Sequence, residues 1–310
     1  MLGLAGILSA AQVRPGSVTT AGGSRTYLLA LPDGPARPGR PLVLLLHGHG
    51  GNARNSLGQG LGHASPLAAW LAIADREGVV VAALDGAKGP DGYPGWNDGR
   101  PGAVGDPSTD DLGFVRAVVD RAEKEQGVDP SRIYVMGMSN GAVMAQRLAL
   151  DLDLPLAAVA SACGSLPGEP PAKAVRPLSV LLIAGTEDPI MPYLGGQVTL
   201  FKRPRGQVAG VEATLAYWRK VDGLTGPPTV SDVPHLKGRQ DPTRVEREVW
   251  GGPGGPQVEL LKVVGGGHEE PSLRYDYGLV YRAVAGHQNR DLESAEAAWA
   301  FFKDKRATAR

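Results

Sequence analysis

The sequence predicts an α/β protein built on a doubly wound, mostly parallel β-sheet. Short and continuously apolar segments recur along the chain, which is typical of strands that are covered on both faces of a sheet. Amphipathic helical patterns separate these segments, and such alternation favours one parallel sheet. The predicted strands cover residues 26–31, 41–47, 78–84, 132–136, 156–162, 178–185 and 258–264.

The bulk properties are those of an ordinary globular protein, and they exclude several function classes. The 310 residues are 42% hydrophobic and 21% charged, with a formal net charge of zero. A neutral chain has no electrostatic reason to bind nucleic acid, and no internal segment is long enough to insert into a membrane. The single cysteine, Cys163, lies in an apolar run and is expected to be a small buried side chain. We therefore expect no disulfide within the chain, no metal ion and no cofactor, and no pattern specifies an oligomeric state.

Residues 25–305 are expected to form a single domain, because no repeat or long linker divides them. Residues 1–24 start with a short apolar run that no Lys or Arg precedes, so they are either the remnant of a signal peptide or a disordered start. The Pro- and Gly-rich residues 223–256 are expected to form a surface excursion. Residues 163–177, between two predicted strands, are too few for a helical cap domain, so we expect an open cleft.

One long helix has recognisable ends in the sequence. It begins after a Pro-rich loop, where Ser108 and Asp111 have the spacing of a capping box. It is predicted to end at Gly127, because glycine tolerates the left-handed conformation that closes many helices.

Ser139 lies in "GMSNG", between an apolar predicted strand and a helical pattern. Because 44 of the 310 residues are glycine, the G-x-S-x-G spacing is weak evidence by itself. Its context adds more, since a nucleophilic serine on a sharp turn needs a strand before it and a helix after it. Gly137 and Gly141 leave room for strand and helix to approach each other, and the helix N-terminus favours developing negative charge.

A serine hydroxyl becomes a nucleophile only when an oriented base removes its proton. His268 is the best candidate base, because it follows the last predicted strand through three glycines on a loop at the carboxyl edge of the sheet. The alternative for His268 is a histidine of a surface loop without a catalytic role. In that case His287 would be the candidate base. Asp188 is the candidate acid, since it follows the strand at 178–185; Glu187 is then a solvated turn residue.

An oxyanion hole needs backbone N–H donors near the serine. The Gly-rich loop "HGHGGN" follows the second predicted strand, and we expect one donor from His49 and the other from Asn140. Three aromatic residues are candidates for substrate binding: Trp96, Tyr93 and Tyr193. Trp96 equally fits the role of a loop anchor that packs on its own turn.

These residues resemble the esterase/polyhydroxybutyrate depolymerase family of α/β-hydrolases, which includes feruloyl-esterase-like members. The resemblance covers about residues 25 to 303 and is carried by "LHGHGGN", "GWNDG", the block from 110 to 150, "GTEDPIMPYLGG" and "GGGH". It implies an α/β-hydrolase fold and a secreted serine carboxylesterase without metal or nucleotide cofactor. It also implies Ser139 as nucleophile, Asp188 as acid and His268 as base. The implied substrates are feruloyl, short-chain acyl or hydroxyalkanoate esters, either small or polymeric.

The chain departs from this family in two informative places. Leu224 and Gly251 stand where many members carry cysteines, and Glu269-Glu270-Pro271 replaces a common Thr-Trp-Pro run after the histidine. The second change weakens any transfer of the family's substrate preference to this chain. Two other functions remain open at this point, a serine peptidase on the same fold and a binding protein without catalytic activity.

Overall fold

The computed structural model describes residues 11–61, 64–172, 175–236, 241–252 and 254–307. The strands, numbered along the chain, are β1 Gln12–Thr20, β2 Gly23–Leu31, β3 Arg40–Leu46, β4 Val80–Leu84, β5 Ala87–Lys88, β6 Pro94–Gly95, β7 Val128–Met138, β8 Ala158–Ala162, β9 Ser179–Gly185, β10 Gly196–Leu200, β11 Arg203–Val208, β12 Thr229–Asp232, β13 Arg244–Gly251 and β14 Gln257–Val264. The helices are α1 Ala53–Ser56, α2 Trp70–Glu77, α3 Asp111–Gln126, α4 Asn140–Asp151, α5 Val211–Val221, α6 Leu279–Ala285 and α7 Ser294–Phe302.

The main sheet has ten strands in the order β1-β2-β4-β3-β7-β8-β9-β14-β13-β12. The six central strands, from β4 to β14, pair in parallel, and antiparallel strands extend the sheet at both edges. The predicted sheet is confirmed, because every strand expected from a continuous apolar run is present. Since the central strands are parallel, the loops at their carboxyl ends meet at one edge.

Helices cover both faces of this sheet, which explains the continuously apolar strands. Helices α3, α4 and α5 contribute Phe114, Met144 and Trp218 to one core. Helices α2 and α7 contribute Trp70 and Phe302 to the other. Burial of alternate strand residues on opposite faces provides the main stabilisation of the fold.

The two edges of the sheet differ from the sequence-based expectation. Residues 12–24 were expected to be a disordered start or signal remnant, but β1 and a tight turn form a hairpin with β2; residues 1–10 lie outside the described part. The excursion at 223–256 contains β12 and β13, and β13 pairs with β14. Within this excursion, a Cβ on Gly251 would lie 3.2 Å from Leu224 Cδ2. Leu224 and Gly251, the two positions where the resemblance would lead one to expect cysteines, are therefore neighbours.

Helix α3 ends as predicted but begins differently. Gly127 adopts the left-handed conformation after the last turn. The N-cap is Asp110, whose side chain accepts a hydrogen bond from the Gly113 amide, and Ser108 does not cap the helix. Asp111 is instead buried, where it accepts hydrogen bonds from the Arg25 guanidinium and the Asn97 amide. Between β8 and β9 the described residues contain no helix, in agreement with the expected absence of a large cap.

Glycine is required where β7 meets α4. A Cβ on Gly137 would lie 2.0 Å from the carbonyl oxygen of Gly141, and a Cβ on Gly141 would lie 2.2 Å from that of Leu46. These distances are shorter than any van der Waals contact, so both positions must lack a side chain. The strand, the helix and the neighbouring strand β3 are therefore in direct backbone contact.

We expect Gly137→Ala to lower the free energy of unfolding by ~1–3 kcal/mol, because the added methyl group has no free volume. Thermal unfolding followed by circular dichroism measures this loss. The matched control is Gly252→Ala, where an added Cβ meets no atom within 4 Å. Equal melting temperatures for the two variants would contradict the close contact of β7 with α4.

Candidate active site

Ser139 lies on the sharp turn between β7 and α4 that the sequence predicts. Its φ is 55° and its ψ is −121°, a conformation that side-chain-bearing residues rarely adopt. Its amide donates a hydrogen bond to the Ala162 carbonyl at the end of β8, and its carbonyl accepts from Ala142 and Val143. The turn is thus held from both sides, and the serine side chain stands above the carboxyl edge of the sheet.

The structure brings together the three candidate residues of the proton relay. His268 Nε2 lies 2.8 Å from Ser139 Oγ, and His268 Nδ1 lies 2.6 Å from Asp188 Oδ2. A carboxylate can only accept, so the Nδ1–H donates to Asp188 and Nε2 is left to accept the serine proton. His268 is 1% exposed, which keeps water from competing for these hydrogen bonds. The arrangement is the one that nucleophilic catalysis by serine requires.

Backbone contacts explain the three glycines before His268. A Cβ on Gly267 would lie 2.0 Å from the Ala285 carbonyl oxygen, and a Cβ on Gly185 would lie 2.3 Å from that of Gly266. The His268 amide donates to the Ala285 carbonyl at 2.6 Å, and the Gly267 amide donates to His287. The loop is therefore anchored by its backbone. The exposed His287 contributes a carbonyl to this anchor, and the ring that contacts Ser139 is that of His268.

Asp188 is held by the turn that follows β9. Its Oδ1 accepts from the amides of Ile190 and Met191, both at 2.8 Å, and this leaves Oδ2 for the imidazole. Its neighbour Glu187 is exposed, as a solvated turn residue should be. The two backbone donors orient the carboxylate, and its contact with Nδ1 fixes the tautomer of His268.

The loop after β3 lies against the serine. A Cβ on Gly48 would lie 3.4 Å from Ser139 Cβ. Gly48 therefore packs closely on Ser139, and His49 is the next residue of this loop. The side chain of His49 is half-buried, with Nε2 3.1 Å from Asp91 Oδ2. Burial lowers the pKa of His49, so its ring is uncharged near neutral pH. Asn140 is the first residue of α4, and its amide has no acceptor within the helix.

The side chain of Asn140 connects this helix to the loop between β6 and α3. Its Oδ1 accepts from the Trp96 amide at 2.8 Å, and its Nδ2 donates to Asp98 Oδ2 at 2.6 Å. Asp98 also forms an ion pair with the buried Arg100, at 2.7 Å. We call Asn140, Trp96 and Asp98 the turn clamp, because they fix the start of α4.

Trp96 does not face the candidate cleft, so its expected role in substrate binding is wrong. It is completely buried, and its indole N–H donates to the His47 carbonyl at 2.8 Å. The alternative role of loop anchor is the one that the structure shows. Tyr93 is 59% exposed and its ring lies 5.8 Å from that of His49, at the side of the loop after β3. Tyr193 lies behind Asp188, and its hydroxyl donates to Glu212, so neither tyrosine lines the cleft.

A cleft of about 240 Å³ opens at Ser139 and His268. Its lining combines the loop after β3 with polar, apolar and aromatic side chains: Asn52, Asn55, Ser65, Ile190, Leu200, Tyr277 and Tyr281. Sequence analysis missed these residues. The only signal for the two tyrosines was the aromatic run "YDYGLVY" shortly after His268.

Three further buried groups surround the histidine. Cys163 is buried as expected, its Sγ lies within 4.8 Å of a nitrogen of His268, and burial raises the pKa of its thiol. Glu269 and Glu270 are 3% and 0% exposed, and burial raises the pKa of each to about 7. The Glu-Glu pair that replaces Thr-Trp is therefore inside the protein and beside the cleft.

None of the described helices is both long and apolar enough to cross a lipid bilayer.

Residues 25–198, which are more than half of the chain, match the family described as Esterase PHB depolymerase. NocK of Nocardia uniformis subsp. tsuyamanensis is 35% identical over 295 residues, which cover 92% of this chain and 81% of the relative. Feruloyl esterase B of Piromyces equi is 31% identical over 210 residues, which cover 66% of this chain. The matched part is 36% of that enzyme's own length.

Among solved structures, the acetyl xylan esterase of Aspergillus awamori superposes with a TM-score of 0.54 over 83% of this chain and 94% of that one. The two share 15% sequence identity, so the likeness shows the fold. The α/β-hydrolase fold implied by the sequence is thereby confirmed. By its family match and its relatives, the chain belongs to the Esterase PHB depolymerase family of carboxylic ester hydrolases.

Proposed function

We propose that this protein is a serine carboxylesterase that works through an acyl-enzyme on Ser139. The observation that carries the proposal is the contact geometry of the relay, 2.8 Å from Ser139 Oγ to His268 Nε2 and 2.6 Å from His268 Nδ1 to Asp188 Oδ2. The strained backbone of Ser139 supports it, because such conformations persist mainly where function maintains them.

The reaction then runs in two halves. His268 removes the proton of Ser139 as Oγ attacks the ester carbonyl, and Asp188 stabilises the resulting imidazolium. The amides of His49 and Asn140 donate to the oxyanion of the tetrahedral intermediate. His268 next protonates the leaving alcohol, and water repeats the sequence on the acyl-enzyme.

The proposed substrates are feruloyl, short-chain acyl or hydroxyalkanoate esters. The cleft of about 240 Å³ accommodates one acyl group and not a long polymer segment, so most of a polymeric substrate would remain outside it. One relative is a feruloyl esterase, which supports the aromatic acyl class. We also propose export from the cell, as the family resemblance implies; of residues 1–24, in which the sequence predicts a signal remnant or a disordered start, residues 1–10 lie outside the described part.

We expect Ser139→Ala to lower kcat for p-nitrophenyl acetate by roughly 10⁴-fold or more, because the members of such a relay act as a unit. Release of p-nitrophenolate measures this loss. A fluorophosphonate should label the parent protein once, and mass spectrometry should locate the label on Ser139. Hydrolysis retained in the variant would refute the assignment of the nucleophile.

The same assay separates the alternative functions. A serine peptidase would also cleave p-nitroacetanilide, the anilide that corresponds to p-nitrophenyl acetate, whereas the esterase should leave the anilide intact. A binding protein without catalytic activity would release no p-nitrophenolate and take up no phosphonate.

We expect Asn140→Ala to lower kcat by roughly 10–10²-fold with a smaller change in KM, because the backbone amide remains but the turn clamp is lost. Removing a buried amide that bonds Asp98 and Trp96 should also cost about 1–3 kcal/mol of stability. Steady-state kinetics and thermal unfolding measure the two effects. An unchanged kcat would show that the clamp does not position the oxyanion donor.

A further inference from the structure

A chain of three hydrogen-bonding groups leads from the cleft into the protein. Ser65 Oγ and Tyr277 Oη are 3.0 Å apart, and the Tyr277 hydroxyl donates to Glu270 Oε2 at 2.9 Å. Ser65 and Tyr277 both line the cleft that contains Ser139. Glu270 lies behind them and is completely buried. We call Ser65, Tyr277 and Glu270 the hydroxyl chain.

The direction of these hydrogen bonds follows from the chemistry of their ends. An ionised carboxylate only accepts, so the single proton of Tyr277 points to Glu270. Ser65 Oγ accepts from the Leu67 amide at 3.2 Å, and its own proton is therefore free to point to Tyr277. Burial raises the pKa of Tyr277, which keeps its hydroxyl neutral. With both protons directed inward, one lone pair on each oxygen has no hydrogen-bond partner among the described residues, and both residues line the cleft.

We infer that the hydroxyl chain is a specificity site, which accepts a hydrogen bond from a hydroxyl group of the ester substrate. Ser65 is buried, so an ester without this hydroxyl leaves a buried acceptor unpaired, and such a loss discriminates strongly between substrates. The inference rests on the proposed esterase function and names the substrate class, esters that carry a free hydroxyl.

The buried position of Glu270 supports a role beyond anchoring the loop. Its Oε1 has no hydrogen-bond partner among the described residues, so the carboxylate is only half satisfied. A glutamine would anchor Tyr277 without the cost of burying a charge, but it would not impose one direction on the chain. The carboxylate makes Tyr277 a donor toward the interior and an acceptor toward the cleft.

The charge of Glu270 gives the site a pH dependence. Burial raises the pKa of this carboxyl to about 7. The titratable groups around it are His268, Glu293 and Glu269, with Tyr277, Tyr281 and Cys163 also within electrostatic reach. Below pH 7, a proton on Oε2 makes the carboxyl a donor to Tyr277, and Tyr277 then donates to Ser65. The Ser65 proton is thereby displaced toward the cleft, and the site then favours an acceptor such as an ether oxygen.

The experiment compares esters that differ in one group. The probes are methyl 4-hydroxycinnamate with methyl cinnamate, and methyl 3-hydroxybutyrate with methyl butyrate. In at least one pair we expect kcat/KM at pH 8 to favour the hydroxyl member by about fivefold to tenfold, and Tyr277→Phe to abolish the preference. The ratio within a pair cancels any general loss of activity, so a purely structural role of Tyr277 would not change it.

Tyr281→Phe is the matched control. Tyr281 lines the same cleft, but its hydroxyl lies 3.4 Å from the His268 carbonyl and outside the hydroxyl chain. The preference should survive in this variant.

If Tyr277→Phe does not fold, Ser65→Ala provides the second test with the same expected loss. Equal kcat/KM within both pairs, or a preference that persists without the Tyr277 hydroxyl, would overturn the inference while leaving the esterase function intact. Failure of the parent enzyme to hydrolyse any ester would instead refute the proposed function.

The pH dependence is tested with a hydroxyl ester and its methyl ether. We expect the ratio of kcat/KM for methyl 4-hydroxycinnamate over methyl 4-methoxycinnamate to fall as the pH decreases from 8 to 6. In Glu270→Gln, which cannot titrate, the ratio should be constant over this range. A ratio that changes equally in both proteins would assign the effect to another group and contradict the role of Glu270.

Discussion

The site depends on one constraint, a serine held at a positive φ by the packing of the sheet itself. A residue with a side chain in this conformation costs on the order of 1–3 kcal/mol. The cost is offset because the Ser139 amide is bonded to Ala162 on β8, and because Gly137 and Gly141 bring β7, α4 and β3 into backbone contact. Ser139 is thus positioned by the most buried part of the molecule, and it cannot move without disturbing the core.

The parts of the site that depend on the backbone could be predicted from the sequence. Ser139, Asp188 and His268 each follow a continuously apolar strand, and parallel strands bring their carboxyl ends to one edge. Gly137, Gly141 and Gly267 can be recognised in the sequence because close backbone contacts at those points exclude every other residue. Such steric requirements are visible in a sequence. For this reason the central strands and the three candidate residues at their ends can be predicted together.

The parts that depend on side-chain contacts in loops could not be predicted in the same way. Trp96 occurs in a motif beside the site, but only the structure shows that its indole N–H donates to the His47 carbonyl and that the ring is buried outside the cleft lining. Tyr277 and Tyr281 belong to a segment whose path is set by contacts with residues far away in the chain. Strands β1 and β12 are mostly exposed, so their apolar pattern is too weak to distinguish them from loops.

This division also separates catalysis from specificity in physical terms. Ser139, Asp188 and His268 are held at strand ends by backbone hydrogen bonds, which follow from the fold. The cleft wall includes the segment after His268, where this chain has two buried glutamates in place of Thr-Trp. An apolar aromatic side chain would fill space and exclude water, whereas Glu270 orders the hydroxyls of Tyr277 and Ser65 at the cost of a buried charge. Membership in the family therefore predicts that an ester bond is broken, and under the proposed role of the hydroxyl chain the residues after His268 select the ester.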